Sequence, residues 1–301
     1  MNLSFKDLEY FLAVIDHRGV GRAAADLGVT QPTLSKAIRR VEEESGLVLF
    51  DRSTRRMALS ATGQVFLEHA RKLQADYADA MRHAAELGAG RTGLLRVGAT
   101  GATMTQFVLP TLAQLLPRRP ALRVHLSVEL SDRLLTALAE GAIDLAVAPT
   151  YVNPDPALAQ IPLRHDQLRI VAREQHPLHY RRRLGLADLC DQLWILPHHD
   201  SVARRKLDAL FTHANLRPPQ AALEVDFSST AGLELVRDTD MLTIVSESYI
   251  RRSRFAGIAA LSLGQKAELP LQLSLLTRRE AIWSPLMHEF RDALRTHAEH
   301  P

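Results

Sequence analysis

Residues 23–44 read AAADLGVTQPTLSKAIRRVEEE, and this stretch decides how the first part of the chain folds. Apolar residues recur at helical spacing on both sides of a four-residue turn at residues 27–30. Thr30 suits the N-cap of the second helix, Pro32 is tolerated in its first turn, and Gly46 suits its C-terminal end. The pattern therefore predicts a helix-turn-helix whose second helix runs from about residue 31 to residue 44.

The predicted second helix carries a polar face at its N-terminal end. In a helix-turn-helix this end enters the major groove of DNA, where glutamine can pair with adenine, and lysine or arginine with guanine. A small hairpin with a basic turn follows, which suits a wing that grips phosphates. The acidic residues 42–44 lie at the far end and are expected to stay off the DNA. The spacing alone is equally compatible with a helical subdomain that has an ordinary solvated face. The exposed positions are Gln31, Thr33, Ser35, Lys36, Arg39 and Arg40, and the basic turn contributes Arg52, Arg55 and Arg56.

A long amphipathic helix is predicted next, from Ser60 or Thr62 to about residue 87. Its apolar positions are separated alternately by four and three residues, which is a heptad seam and predicts a partner helix. Gly88, Gly90 and Gly93 then predict a flexible hinge. The seam comprises Phe66, Ala70, Leu73, Tyr77, Ala80, Ala84 and Leu87.

From residue 94 onward, short apolar runs alternate with helical patterns. This alternation is typical of an α/β fold with largely parallel sheets, and about 200 residues suffice for two Rossmann-like subdomains. Strands are predicted at residues 94–99, 122–128, 143–148, 168–171, 193–196, 223–227, 241–245 and 271–276, and helices at residues 104–116, 132–140, 202–214, 230–237 and 283–298.

This chain contains two sets of short sequence motifs that occur together in one known family. The first comprises Ala23-Ala24, Leu27, Gln31-Pro32, Leu34-Ser35, Ile38, Val41-Glu42, Gly46, Leu49-Phe50-Asp51-Arg52 and Leu59-Ser60-Ala61-Thr62-Gly63; the second comprises Leu95-Arg96-Val97-Gly98, Leu109-Pro110, Gly141-Ala142-Ile143-Asp144-Leu145-Ala146-Val147 and His176-Pro177-Leu178. With these motifs the chain resembles the LysR-type transcriptional regulators, most specifically over residues 3–65. One departure is Gly19, where many members have a serine as the helix cap; glycine is also an acceptable cap.

The resemblance implies a complete architecture. It is an all-α winged helix-turn-helix domain at residues 1–59, a linker and dimerisation helix with a hinge at residues 60–92, and a periplasmic-binding-protein-like α/β effector domain at residues 93–301. In the effector domain, subdomain I would comprise about 93–165 and 267–301, and subdomain II about 166–266. The resemblance also implies a homotetramer, built as a dimer of dimers through the linker helices, that binds double-stranded promoter DNA. By position, the base-reading group would be Gln31, Pro32, Ser35 and Lys36, and the backbone group Thr33, Arg39, Arg52, Arg55 and Arg56.

Four junctions between strands and helices carry hydroxyl groups in the second part of the chain. Ligands of α/β sheets bind beyond the C-terminal ends of strands, where free N–H groups at helix starts favour anions. The junctions therefore predict a small carboxylate or other oxyanion as effector, and the resemblance points to the same cleft between the subdomains. Each hydroxyl taken alone is more simply a helix cap, and Asp132 and Asp200 at the junctions oppose an anion. The candidate residues are Thr100, Thr103, Ser131, Ser201, Ser228 and Thr230.

Composition narrows the class of protein. The chain has 301 residues and a net charge of +3, from 37 lysines and arginines against 34 acidic residues, so any DNA-binding charge must be local. The single cysteine, Cys190, excludes an intramolecular disulfide. We find neither a signal-peptide pattern nor an apolar run of about 18 residues, which predicts a cytoplasmic protein with no membrane segment.

An enzyme and a solute-binding protein are the alternative classes. Cys190 lies in an apolar-patterned segment and is expected to be inert rather than nucleophilic. His198 and His199, with His176, His179 and His213 nearby, lack the spacing of a recognised zinc motif, so no metal or cofactor is expected. The phosphate-loop and nucleophile-elbow motifs are absent. A solute-binding protein would share the effector fold but not the helix-turn-helix. The sequence thus predicts a regulator of transcription and not an enzyme.

Overall fold

The computed structural model of the chain describes residues 3–51, 58–89, 93–150, 156–225, 230–253, 257–264 and 268–299. It divides into two units, Met1–Ala84 and Ala85–Pro301. In these described segments no helix is both long and apolar enough to cross a membrane.

The first unit contains three helices, a short hairpin and the start of a long fourth helix. Ser4 and Asp7 form a capping box at the first helix: Asp7 N donates to Ser4 Oγ at 3.3 Å, and Ser4 N donates to Asp7 Oδ2 at 3.0 Å. In the core, the Phe11 ring packs edge to face against Phe50 and Phe66, with centroids 5.7 and 5.2 Å away. The elements are α1 (Phe5–Asp16), α2 (Val20–Asp26), α3 (Gln31–Ser45), β1 (Phe50–Asp51), β2 (Ala58–Leu59) and α4 (Ala61–Ala89).

The predicted helix-turn-helix and hairpin are confirmed. Helix α3 begins directly after Thr30, whose Oγ1 accepts a hydrogen bond from Thr33 N at 3.3 Å, and ends before Gly46, which adopts the left-handed conformation. Strands β1 and β2 pair antiparallel. Gly19, the N-cap of α2, has a φ of 155°, which side-chain-bearing residues rarely adopt. Glycine at this departure from the family pattern is therefore required by the backbone.

Ser60, rather than Thr62, caps α4. Its Oγ accepts a hydrogen bond from Gly63 N at 2.9 Å and donates to Val48 O at 2.5 Å, while Thr62 Oγ1 donates to Val48 O at 2.8 Å. Gly63 lies so close to the chain before β1 that a Cβ atom there would stand 2.1 Å from Leu49 O. The start of α4 is thus locked to the first unit's own core.

The predicted seam on α4 is only partly free for a partner helix. Ala70 is buried and Phe66 half-buried in the first unit's core, so these two positions cannot pair with another chain. Leu73 and Tyr77 are about half exposed, and Ala80 and Ala84 are exposed. The side chain of Leu87 lies outside the described residues. The predicted hinge is also shorter than expected, because Gly88 lies within α4 and Gly93 begins the next strand, while Gly90 lies outside the described residues.

The second unit is an α/β assembly around one seven-stranded sheet. A separate parallel pair of strands lies beside it, joined to it through a bridge between Trp194 and Leu242. The strands are β3 (Gly93–Ala99), β4 (Leu122–Val128), β5 (Leu145–Thr150), β6 (Leu158–Arg173), β7 (Trp194–Pro197), β8 (Ala221–Val225), β9 (Thr243–Ser246), β10 (Ile258–Ala260) and β11 (Leu269–Arg278). The helices are α5 (Gly101–Thr103), continued by a π-helical turn (Met104–Val108), α6 (Leu109–Leu115), α7 (Ser131–Ala139), α8 (Val202–His213), α9 (Thr230–Asp238), α10 (Glu247–Ser253) and α11 (Pro285–Glu299), and 3₁₀ turns lie at Leu116–Arg118, Pro177–Tyr180 and Leu186–Leu189.

The expectation of largely parallel sheets is wrong. Strand β3 is parallel to β4 and β5, and β7 is parallel to β8, but β11 is antiparallel to both β5 and β6. Strands β9 and β10 are also antiparallel to β6. The direction of a strand is not encoded in its apolar run, and β11 returns beside strands made much earlier in the chain. The result is one mixed sheet shared by two subdomains.

Strand β6 connects the two subdomains. It is 16 residues long: residues 158–168 pair with β11, and residues 168–173 pair with β9 and β10. Only its apolar end, residues 168–171, was predicted, because the preceding part is rich in polar residues. Helix α10 and strand β10 were likewise not predicted.

Candidate functional sites: an exposed helix and an apolar pocket

Helix α3 presents a continuous polar face at its N-terminal end. Leu34, Ala37, Ile38 and Val41 are buried in the first unit. The opposite face carries the residues predicted to contact DNA, and the structure exposes all of them that it describes in α3: Gln31, Pro32, Thr33, Ser35, Lys36 and Arg39. Arg52, Arg55 and Arg56 lie outside the described residues. A helix that is buried on one side and carries amide, hydroxyl and cationic groups on the other has the composition of a major-groove reader.

Arg40 was expected on the exposed face of α3, but it does not lie there. It is half-buried, and its Nη2 lies 3.4 Å from Oδ1 of Asp7, which is only 3 % exposed. A buried carboxylate needs a cation and hydrogen-bond donors, which Arg40 and the capping Ser4 supply. Arg40 therefore stabilises the packing of α1 on α3. Its role was missed because residues 7 and 40 are far apart in sequence.

Glu42 holds the start of the hairpin. Its Oε1 accepts hydrogen bonds from Leu49 N at 2.9 Å and Phe50 N at 3.4 Å. The acidic end of α3 thus positions β1 from inside the first unit. This contact gives a structural reason for acidic residues in a helix whose other end is basic.

A pocket of about 120 Å³ lies in the second unit at the ends of strands and the starts of helices. Its wall is mainly apolar, with Ile195, Val245 and Leu273 among the lining residues. The first turns of α7, α8 and α9 all reach it, through Ser131, Val202 and Gly232 respectively. This is where α/β sheets bind small ligands.

Four of the six predicted effector residues line this pocket: Thr100, Thr103, Ser131 and Ser201. Thr103 uses its hydroxyl within the fold, because Oγ1 donates to Val147 O at 2.5 Å and contacts Thr100 Oγ1 at 2.9 Å. Ser201 Oγ accepts from Arg204 N at 3.2 Å as the cap of α8, which leaves its proton for a ligand. Ser131 Oγ makes no hydrogen bond within the described part of the chain. Ser228 lies outside the described residues, as does the side chain of Thr230.

The pocket includes polar residues that the sequence analysis missed. Ser246, at the end of β9, is 8 % exposed, and its Oγ is buried without a hydrogen-bond partner among the described residues. Gln106 is 2 % exposed and projects from the π-helical turn after α5. A π-helical turn is an irregularity that often accompanies a functional site. A serine directly after the apolar run 241–245 was the available signal, since that run was predicted as a strand.

Charge in the pocket wall is sparse. Among the described residues that line the pocket, Glu129 is the single charged one, and none is a lysine or an arginine. Asp132 is neutralised by Arg205, whose Nη2 lies 3.0 Å from both carboxylate oxygens and links α7 to α8. An anion would therefore depend on backbone N–H groups and hydroxyls rather than on a cationic side chain.

His176, His198 and Cys190 all make contacts within the fold. In the described part of the chain, His198, His199 and Asp200 form the one group with metal-ligand spacing. Nδ1 of His198 already accepts a hydrogen bond from Asp200 N at 3.3 Å, so that lone pair is occupied. His176 is buried, and its Nδ1 accepts from Leu178 N; burial lowers the pKa of His176. Cys190 is half-buried and its Sγ lies 3.8 Å from Leu186 O.

Comparison with known proteins finds matches for both units of the chain. Residues 5–64 match the family model of the bacterial regulatory helix-turn-helix protein, lysR family, and residues 88–299 match the LysR substrate binding domain. The HTH-type transcriptional regulator GbpR of Azospirillum brasilense is 31 % identical over 249 residues, which cover 82 % of this chain and 72 % of that protein. The hydrogen peroxide-inducible genes activator of Dickeya chrysanthemi is 30 % identical over 62 % of this chain and 61 % of its own length. CbnR, a LysR family transcriptional regulator solved alone and in complex with its target DNA, superposes with a TM-score of 0.63 at 24 % identity, covering 98 % of this chain and 99 % of that one.

A winged helix-turn-helix in one unit and a ligand-sized pocket in the other define a DNA-binding regulator with a sensing domain. The matches to both family models extend over most of the chain, and the relatives are named as regulators of transcription. The chain belongs to the LysR family of bacterial transcriptional regulators.

Proposed function

We propose that this regulator binds promoter DNA in the cytoplasm through α3 and the basic wing. Gln31, Pro32, Ser35 and Lys36 read base edges, while Thr33, Arg39 and the wing arginines Arg52, Arg55 and Arg56 hold the phosphate backbone. The exposed polar face of α3 carries this proposal. The complex of CbnR with its target DNA supports it by analogy of fold.

The test is a binding titration with the region upstream of the protein's own gene. Lys36→Ala should weaken specific binding about 5- to 150-fold, the range of 1–3 kcal/mol for a base contact, and leave binding to unrelated DNA nearly unchanged. Lys72→Ala is the matched control, because it removes an exposed lysine from α4. Wild-type operator affinity in the Lys36 variant would contradict the assignment of α3.

We propose that the effector that controls this regulator is a small organic acid, and that it binds in the pocket of about 120 Å³. An apolar cavity of about 150 Å³ accommodates benzene, so the effector should have roughly six to eight non-hydrogen atoms if the pocket keeps its size. Its apolar body would contact Ile195 and Leu273, and its carboxylate would meet the hydroxyls of Ser131 and Ser201 and the first-turn N–H groups of α7 and α8. Ser246 supplies a further hydroxyl that lacks a protein partner among the described residues.

A thermal-shift screen of small organic acids, with amines and amides of the same shape, tests this proposal. The acids should raise the melting temperature of the wild type and lose most of that effect in Ser131→Ala. Ser127→Ala serves as the control, because Ser127 lies outside the pocket on β4, the strand that precedes α7. Stabilisation by the amines or the neutral amides alone would contradict an anionic effector.

We also propose that the chain assembles as a homotetramer, with dimers paired through α4. The exposed apolar side chains Leu73, Tyr77 and Met81 on α4 support this pairing. Within each chain, we propose a DNA-binding domain at residues 1–59, a linker at residues 60–92 and an effector domain at residues 93–301. Light scattering of Leu73→Glu should show a smaller assembly than the wild type, and an unchanged mass would contradict pairing through this face.

A further inference from the structure

The second unit contains another, larger cavity on the polar part of the long strand β6. It has a volume of about 700 Å³ and is open to solvent. Strands β6 and β11 form its floor, α10 forms one wall, and α8 contributes Lys206. Among the described lining residues the two cavities share only Leu271, so they are separate spaces.

Both carboxylates in this larger cavity are already satisfied by the protein. Glu247 is bound by Arg169 at 2.8 Å and by Arg251 at 2.5 Å. Asp166 accepts hydrogen bonds from Gln167 N, Ser248 N and Ser248 Oγ at 2.8, 3.2 and 2.5 Å. Neither acid therefore needs a further cation.

Among the described residues, the remaining basic side chains of the cavity have no such partners. The side chains of Arg164, His165 and Lys206 form no hydrogen bond or ion pair with any part of the chain that the structure describes, although all three line the same space. Arg164 and Lys206 are half-buried, which makes their charges less screened than those of a surface lysine. Two partly desolvated cations that line one cavity attract an anion.

The floor of the cavity offers groups for hydroxyls rather than for an apolar body. Thr150 and Ser274 are 5 % and 1 % exposed, and their hydroxyl oxygens lie 3.1 Å apart. Gln160 adds an amide, and Gln272 adds an amide oxygen, since its Nε2 already donates to Arg164 O at 3.1 Å and to Leu273 O at 2.8 Å. The ligand chemistry that fits is a hydroxylated anion whose charge meets Arg164 and Lys206.

A partly buried hydrogen-bond chain joins this cavity to the smaller pocket. Ser248 Oγ lies 2.5 Å from Asp166 Oδ2 on one side and 2.9 Å from the side-chain amide of Gln106 on the other. A hydroxyl has one proton, and the carboxylate is the stronger acceptor, so Ser248 donates to Asp166. Gln106 must then turn its NH₂ group toward Ser248, an orientation that heavy-atom positions do not distinguish. Asp166 faces one cavity and Gln106 the other.

We propose that the larger cavity is a second ligand site, for a small hydroxylated organic anion, coupled to the effector pocket through Asp166, Ser248 and Gln106. Binding of an anion beside Asp166 changes the field on the Ser248 hydroxyl and hence on the Gln106 amide. The coupling is reciprocal, because each ligand shifts the other's affinity by the same factor. Only the coupling rests on the proposed effector pocket; the second site stands on its own contacts.

Calorimetry on the full-length protein without DNA tests the site. The probes are gluconate as the hydroxylated carboxylate, glucose 6-phosphate as the phosphate monoester, and glucose as the neutral compound. At least one anion should bind and glucose should not. Arg164→Ala and Lys206→Ala should each weaken that binding about tenfold or more, as expected for a charged hydrogen bond. Arg123→Ala, on β4 outside both cavities, should leave it unchanged. Binding of glucose alone, binding of none of the probes, or equal loss in Arg123→Ala would overturn the site.

Hydrogen exchange tests the coupling. The bound anion should change exchange in residues 104–108 of the wild type. In Ser248→Ala the anion should still bind through Arg164 and Lys206, but the change at residues 104–108 should disappear. A response retained in Ser248→Ala would overturn the relay and leave the site intact. None of these measurements involves the operator, so their failure is distinguishable from a failure of the DNA-binding proposal.

Discussion

Glu42→Ala should loosen the wing although Glu42 is not expected to touch DNA. The lost acceptor serves Leu49 N at 2.9 Å and Phe50 N at 3.4 Å. A hydrogen bond to a charged group contributes about 1.5–3 kcal/mol, and the longer bond adds little. We expect the local opening of β1 to become easier by about 2 kcal/mol. This is a roughly 30-fold increase in the opening equilibrium, since 1.4 kcal/mol corresponds to a factor of ten.

Hydrogen exchange measured by mass spectrometry is the appropriate assay. Trp194 and Trp283 both lie in the second unit, so tryptophan fluorescence would not report the opening of the first. Under conditions in which exchange follows the opening equilibrium, the amides of Leu49 and Phe50 should exchange roughly 30-fold faster in the variant. Operator affinity should fall in parallel, because β1 leads into the wing.

Two control variants separate the hydrogen bonds from the charge. Glu42→Gln keeps an oxygen acceptor in place and should accelerate exchange only about five-fold, since a neutral bond is about half as strong. Glu43→Ala removes an equal charge from an exposed neighbour and should leave exchange unchanged. The reasoning is refuted if Glu43→Ala matches Glu42→Ala, or if Glu42→Ala exchanges like the wild type.

Three further outcomes follow from the contacts. Gly63→Ala forces a Cβ atom to within 2.1 Å of Leu49 O and should destabilise the first unit by about 3 kcal/mol, seen as faster proteolysis there; Gly264→Ala, which has open space, should not. Because burial lowers the pKa of His176, the folded chain resists a proton that the unfolded chain accepts below about pH 6.5. Stability should therefore fall by at most about 1.4 kcal/mol between pH 7 and 5.5, and thermal melts of His176→Gln should lose that part of the slope. Arg205→Ala breaks the 3.0 Å pair with the half-exposed Asp132 and should cost less than about 1 kcal/mol in thermal unfolding; a loss above about 2 kcal/mol would contradict a surface pair.

Local signals predicted the helices of the first unit well. Helix α3 begins and ends where Thr30 and Gly46 indicated, because caps act on the backbone beside them. The exposed residues of α3 followed from the same helical spacing. The pair between Arg40 and Asp7 did not, since it depends on how α1 packs on α3 and has no local signature.

Long-range pairing limited the prediction of the second unit. The antiparallel pairing of β11 with β5 and β6 joins residues more than 100 positions apart, and no pattern near either strand encodes it. The pocket was predicted at four hydroxyl positions because strand ends and helix starts are readable from sequence. Ser246 and Gln106 were missed because one depends on the exact end of β9 and the other on a π-helical turn.

The position of β11 has a consequence for biosynthesis. Strand β5 is synthesised by about residue 150 and pairs with β3 on one side. Its other side stays unpaired until β11, which ends at residue 278, has left the ribosome. During that interval two strand edges, on β5 and β6, are open to pairing with other chains. The core of the first unit consists of residues between 3 and 70, which are made well before β11, so this core can form during synthesis. The helix-turn-helix part of a nascent chain would thus fold well before the effector-binding part. Slow translation after residue 173 should favour aggregation through the unpaired edges of β5 and β6.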